Sequence, residues 1–183
     1  MNWYVLFVKT GHEQKAVAEI GNTWNLCGIK VFTPMYDAKF RKQGRVLTEK
    51  RRLFPGYVFI ESQLAGTDFH LATRPFVTTS QHALKLLRYG KNYESDLSFE
   101  MKNTEQQTFR ELYNQNYCID MSKGIIEGDE IKIIEGPLVN QVSRIKKINR
   151  HKMEATIELV MMGEARNVTV GLEIIEKLPK GSC

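Results

Sequence analysis

Twelve basic side chains in this 183-residue chain fall in two runs, and the chemistry open to them is the neutralisation of phosphate. Lys39, Arg41, Lys42, Arg45, Lys50, Arg51 and Arg52 stand against a single acid, Glu49, so that stretch carries +6 where the whole chain carries +5. Arg144, Lys146, Lys147, Arg150 and Lys152 form the second run, beside His151 and with no acid among them. Like charges this dense cannot be buried together, so both runs belong on a surface. One such run is ordinarily a solvated face. Two in a small chain point to a phosphate-binding surface.

Covalent chemistry has far less to work with. His12, His70, His82 and His151 are scattered. Cys27, Cys118 and Cys183 form no CxxC pair, which excludes a zinc ribbon or a disulfide scaffold and fits a reducing cytoplasm. No glycine-rich phosphate loop, GxSxG or HExxH occurs. The chain is expected to be a binding protein without catalytic residues, cofactor or metal. It has neither a long apolar run nor a secretory signal, so no membrane association is expected.

The elements that must position the basic runs follow from periodicity. Trp3 to Val8 reads as a buried strand, and Thr10 to Leu26 as a helix with Ala16, Val17, Ile20 and Trp24 inward. Glu13, Gln14, Lys15 and Glu19 fall on the helix's polar side. Ile29 to Pro34 and Tyr57 to Glu61 read as strands, and the first basic run between them as an exposed loop or flexible hairpin. A short helix over 63–73, a strand over 83–89 and a helix over 105–113 complete an α/β or α+β sandwich. After Tyr117 the pattern changes. Five β-rich runs, 130–135, 142–148, 155–160, 167–170 and 173–178, read as a small barrel. The expected division is a first domain over 1–118, a linker over 119–126 and a second domain over 127–183.

The first strand is apolar on both faces, Trp3, Val5 and Phe7 on one and Tyr4, Leu6 and Val8 on the other. Tyr57 and Phe59 oppose Val58 and Ile60 in the same way. Such a sheet needs cover on both faces. Either helices supply it twice, making all these residues core, or one face is left as an apolar docking patch.

Three segments resemble one family. Trp3-Tyr4-Val5-Leu6-Phe7-Val8 followed by Gly11-His12-Glu13-Gln14-Lys15 is similar to the opening of the NusG family's N-terminal domain. Leu53-Phe54-Pro55-Gly56-Tyr57-Val58-Phe59-Ile60 resembles the family's most specific motif. Gly128-Asp129-Glu130-Ile131-Lys132-Ile133-Ile134-Glu135-Gly136-Pro137-Leu138 resembles the start of a KOW domain. The resemblance implies an N-terminal NusG-type α/β sandwich with an antiparallel sheet, then a KOW SH3-like five-stranded β-barrel. It implies a monomeric, cytoplasmic transcription elongation factor that docks on the clamp of RNA polymerase. Phe7, Phe54, Tyr57, Phe59 and Leu86 match that docking surface, and the first basic run would lie near upstream DNA or emerging RNA.

The sequence also departs from the family pattern. Asn140 and Ser143 stand where two glycines are usual, and Leu138 where a Phe is. Met162-Gly163-Glu164 replaces Phe-Gly-Arg, which puts contacts with a ribosomal protein or Rho in doubt. With the basic run in the second domain, these departures resemble a specialised branch, the LoaP antiterminators, whose members are thought to be recruited by a leader RNA hairpin. That resemblance implies that the two basic runs hold such a hairpin.

Overall fold

The computed structural model describes residues 1–23, 28–89 and 98–179. Trp24, at the end of the expected first helix, lies outside them. The chain is a mixed α+β protein that divides into two compact units. Unit one comprises Met1–Pro34, Phe54–Gln107 and Val160–Glu164. Unit two comprises Met35–Leu53, Thr108–Leu159 and Ala165–Cys183.

In unit one, β1 (Asn2–Val8), β2 (Lys30–Phe32), β5 (Tyr57–Ser62) and β6 (Ala83–Leu86) form an antiparallel sheet of order β2-β5-β1-β6. β1 runs against β5 with Tyr4 opposite Ile60 and Leu6 opposite Val58. That register puts Tyr4, Leu6, Val8, Val58 and Ile60 on one face. There Ala16 and Ile20 of α1 (Glu13–Thr23) and Phe69 and Phe76 of α2 (Gly66–Thr79) close the core. Tyr4 stacks on Phe69 at 3.7 Å between ring centroids. The second helix runs six residues past the expected end at residue 73. Pro75 lies inside it without stopping it, and Thr78 and Thr79 donate their hydroxyls to the carbonyls of Arg74 and Pro75 in the last turn.

The other face is also covered. Trp3, Val5 and Phe59 are at most 1% exposed, and Phe32 and Phe54 are buried beside them. Trp3 sits edge-on to Phe32 at 5.4 Å and to Phe59 at 6.2 Å, and Phe54 stacks on Phe59 at 5.8 Å. Aromatic pairs of this kind add about 0.5–1.5 kcal/mol each beyond burial. The broad exposed patch that was one of the two alternatives is therefore not present in this conformation.

Unit two contains the first basic run, and it is a regular hairpin. β3 (Met35–Lys42) pairs in continuous register with β4 (Arg45–Arg52), from Met35 opposite Arg52 to Lys42 opposite Arg45. Gln43 and Gly44 both have positive φ, +50° and +75°, the two-residue turn whose twist suits a hairpin. β7 (Cys118–Ile119) extends this sheet beside β3. A five-stranded sheet follows, of order β10-β11-β12-β8-β9. Its strands are β8 (Ser122–Glu127), β9 (Glu130–Glu135), β10 (Ile145–Asn149), β11 (Glu154–Met161) and β12 (Glu164–Leu178). The last two expected strands are one continuous strand. The fifth place is taken by β8, which lies largely in the segment expected as a linker. β8 pairs in parallel with β12 and antiparallel with β9, so its backbone groups are used on both edges.

Gly171 marks where β12 passes close to β3. A Cβ there would stand 2.3 Å from the Asp37 carbonyl oxygen and 2.0 Å from the Met121 sulfur. Backbone cannot yield as a side-chain end can. Gly171→Ala is expected to lower the unfolding free energy by roughly 1–3 kcal/mol, read by urea denaturation, with the amide shifts of Asp37 and Met121 displaced.

Candidate functional site

The two most distinctive motifs of unit one meet at a single buried carboxylate. Glu13 opens α1 and is fully buried. Its Oε1 accepts the Gly56 amide at 2.7 Å and the Gly11 amide at 3.2 Å. The Gly56 carbonyl accepts the Val8 amide at 2.8 Å, so the 53–56 turn is held from both sides. Gly56 has φ +85°, and a Cβ would lie 3.1 Å from Thr10 Oγ1 and 3.5 Å from the Phe7 ring. Placing Glu13 on the polar face of the helix is thus corrected. Helical period assigns faces, but the first turn also carries unpaired amides from the preceding loop, and a carboxylate that satisfies them turns inward. The signal available in the sequence was the coupling of two glycine-bearing motifs.

Around this knot stand the expected docking residues. Phe54, Phe59 and Leu86 are buried, at 4%, 0% and 8% exposure. Phe7 and Tyr57 are half-buried neighbours, opposite each other in the β1–β5 register and 5.2 Å apart. The structure brings Phe7, Tyr57, Phe54 and Phe59 onto the same strands and turn, with only the first two offering surface.

His12 and His82 lie beside the same turn, Nδ1 to Nδ1 at 3.1 Å with the rings edge to face. Only one can donate to the other, so the contact requires at least one neutral imidazole. Partial burial, helped by Lys15, His82 and Lys9 and opposed by Glu13, holds His12 below the ordinary value of 6.5. A histidine depressed in the folded state contributes stability that is present above 6.5 and lost as pH falls through its folded value. The denaturation midpoint is expected to decline as pH drops below 6.5, and His82→Ala to flatten that decline.

The twelve bases sort into two kinds. Lys39 pairs with Glu173 at 2.6 Å, Lys50 with Asp37 at 3.1 Å, Arg51 with Glu49 at 2.5 Å and Glu154 at 3.3 Å, and Lys146 with Glu158 at 3.3 Å. Arg144 donates to Gln141 and Thr108, and Arg52, half-buried at the foot of β4, is also engaged. Arg41, Lys42 and Arg45 are exposed around the 43–44 turn; Lys147 is exposed on β10, and Arg150 and Lys152 are exposed at the turn between β10 and β11. Among the described residues these six carry no ion pair. Four of the seven bases of the first run and two of the five of the second are thus engaged within the structure, and the rest are displayed on two hairpins of one unit. Composition could not show this, because the paired acids Glu154, Glu158 and Glu173 are distant in sequence from the first run or lie on a neighbouring strand.

Two departures from the family pattern have local physical reasons. Asn140 adopts φ +62°, and asparagine is the side chain that best tolerates this region after glycine. Leu138 is fully buried, so the core there is filled by an aliphatic side chain. Met162 and Gly163 form a turn with φ +54° and +80°, and both amides donate to the Glu105 carboxylate, at 3.1 and 2.9 Å. The Tyr89 hydroxyl donates to the same group at 2.5 Å.

The chain is thus a mixed α+β protein whose two most distinctive N-terminal motifs are tied at one carboxylate. A family model described as "Transcription termination factor nusG" matches residues 1–93, and the chain belongs to this NusG family. Its relatives include the "Transcription termination/antitermination protein NusG" of Bacillus subtilis, 22% identical over 97% of this chain and 98% of that protein. The protein of the same description from Staphylococcus aureus is 24% identical over 96% of this chain and 95% of its own length. Proteins of the NusG family are transcription factors, not enzymes. No helix among the described residues is long and apolar enough to cross a membrane.

Proposed function

We propose that this chain is a specialised transcription antitermination and elongation factor. In this reading a NusG-type domain over 1–118 binds the RNA polymerase clamp, and a KOW barrel over 127–183 follows it. A leader RNA hairpin recruits the protein, with upstream DNA as a further contact of the first basic run. The observation that carries the reading is the display, on two hairpins of one unit, of six exposed cations that carry no ion pair among the described residues. Every Phe, Tyr and Trp ring among the described residues is buried or half-buried, and the exposed ring beside these cations is the single imidazole of His151, so the surface offers little stacking for unpaired bases. Duplex backbone, recognised through phosphates and shape, suits such a surface better than a single strand.

Transcription in vitro past a terminator, with and without candidate leader RNA, tests the proposal. Readthrough that needs the RNA supports it; readthrough indifferent to any RNA overturns the recruitment half. For the polymerase half, Phe59→Ala is a poor probe, since emptying a fully buried ring costs about 3–5 kcal/mol of stability. Phe7→Ala and Tyr57→Ala are better placed. Each is expected to weaken polymerase binding about tenfold or more with the fold intact by circular dichroism.

The rival reading is a general NusG-type factor coupling transcription to translation or Rho. It is favoured by the near full-length match to general NusG proteins of two bacteria. Capture of ribosomal protein and Rho by the full chain decides between the two.

A further inference from the structure

Three reactive side chains from three strands of unit two converge away from the hairpin tips. Lys50 Nζ lies 3.3 Å from Cys118 Sγ and 3.1 Å from Asp37 Oδ1, and the sulfur lies 3.6 Å from that same oxygen. Backbone register imposes this arrangement. β3 faces β4 with Asp37 opposite Lys50, and faces β7 with Met35 opposite Cys118. Met35 and Asp37 are two apart on one strand and share a face, so amine, carboxylate and thiol must share it too. Cys118 is therefore not an isolated thiol but one with an amine already against its sulfur.

A metal ion fits this place less well. Asp120 brings a third donor atom, all three within 4.8 Å of one another. The Lys50 ammonium already neutralises Asp37, however, and an ion would have to displace it.

We propose that Lys50 and Cys118 form a reversible nitrogen–sulfur cross-link when the protein meets hydrogen peroxide, stapling β4 to β7. In the first step the Cys118 thiolate attacks one peroxide oxygen. An S–O bond forms as the O–O bond breaks, sulfur is oxidised to the sulfenic acid, and the second oxygen leaves as water with the thiol's proton. In the second step Lys50, having lost its extra proton to solvent, attacks the same sulfur through Nζ. The N–S bond forms, the S–O bond breaks, and the hydroxyl leaves as water with one amine proton relayed by Asp37. One thiol, one amine and one peroxide thus give one sulfenamide and two waters. The thiol is buried, but Lys50 is 56% exposed, so displacement of one flexible side chain opens the sulfur to an oxidant about the size of water.

Burial holds the Cys118 thiol above its ordinary value, and the Asp37 hydrogen bond holds Lys50 protonated. The reaction should therefore quicken as pH rises above neutral, because both groups react in their deprotonated forms.

The test is intact-mass and peptide-map spectrometry of the full chain carrying Cys27→Ser and Cys183→Ser, after hydrogen peroxide. The expected product has lost two hydrogens, yields one cross-linked peptide pair containing Lys50 and Cys118, and reverts fully with dithiothreitol. Lys50→Arg, which keeps the charge but not the reactive amine, should gain oxygen at Cys118 and form no bridge. Oxygen gain without a bridge in the Lys50 protein, no change in mass, or a bridge that survives Lys50→Arg would each overturn the proposal.

Discussion

Glu13→Ala is expected to lower the unfolding free energy by about 3 kcal/mol, the scale of two charge-assisted hydrogen bonds lost from a buried site. The carboxylate accepts from two backbone amides, Gly56 and Gly11. Truncation would leave both without the anion that satisfies them. It would also free the 53–56 turn that leads into Tyr57, beside Phe7, and carries Phe54, stacked on Phe59. Glu13→Gln keeps an acceptor oxygen without the charge and should cost about half as much. Urea denaturation gives the energies. Amide exchange at Gly56 and Val8 should rise in the same order, since the Val8 amide relies on the Gly56 carbonyl. Equal stability of Glu13→Ala and the parent chain would show that the knot does not hold the turn.

The second large effect concerns charge. Replacing Arg41, Lys42 and Arg45 together by Ala should reduce affinity for a duplex about 50- to 150-fold at physiological salt. The slope of log affinity against log salt should flatten by about 2–2.7, three contacts at 0.7–0.9 each. Removing Lys147, Arg150 and Lys152 should do the same. Removing Lys146, equally basic and in the same run, should barely change the slope, because its charge is spent on Glu158. Fluorescence anisotropy with labelled RNA and DNA duplexes over a salt series makes the comparison. An equal slope change for Lys146→Ala and for one tip lysine would mean that position on the tips has no bearing on binding.

Much of the architecture was legible in the residues. β1, β5, β9 and α3 (Asn103–Leu112) fall within two residues of the expected bounds, because strong period and nearby turn residues define them without tertiary help. The first basic run was legible as an exposed loop or flexible hairpin, without a choice between the two and without its regular strands. Seven cations obscure its alternation, and its strand character rests on a full ladder between β3 and β4 rather than on apolar period. β8 was missed for a related reason. Ser122-Lys123-Gly124 reads as a linker in isolation, yet those residues bridge two partner strands, and such pairing overrides local propensity.

What the sequence determined by itself was membership and raw material: the motifs that mark the NusG family, the α+β character, and two acid-poor runs of base. Adjacent residues suffice for these, since motif spacing, period and local charge are properties of short stretches. Only the tertiary structure decided which aromatic rings keep surface, that Glu13 ties two motifs, and which cations remain unpaired. Each depends on a partner many residues away, such as Gly56 for Glu13 or Glu173 for Lys39, and such pairs exist only once the sheets have set their register.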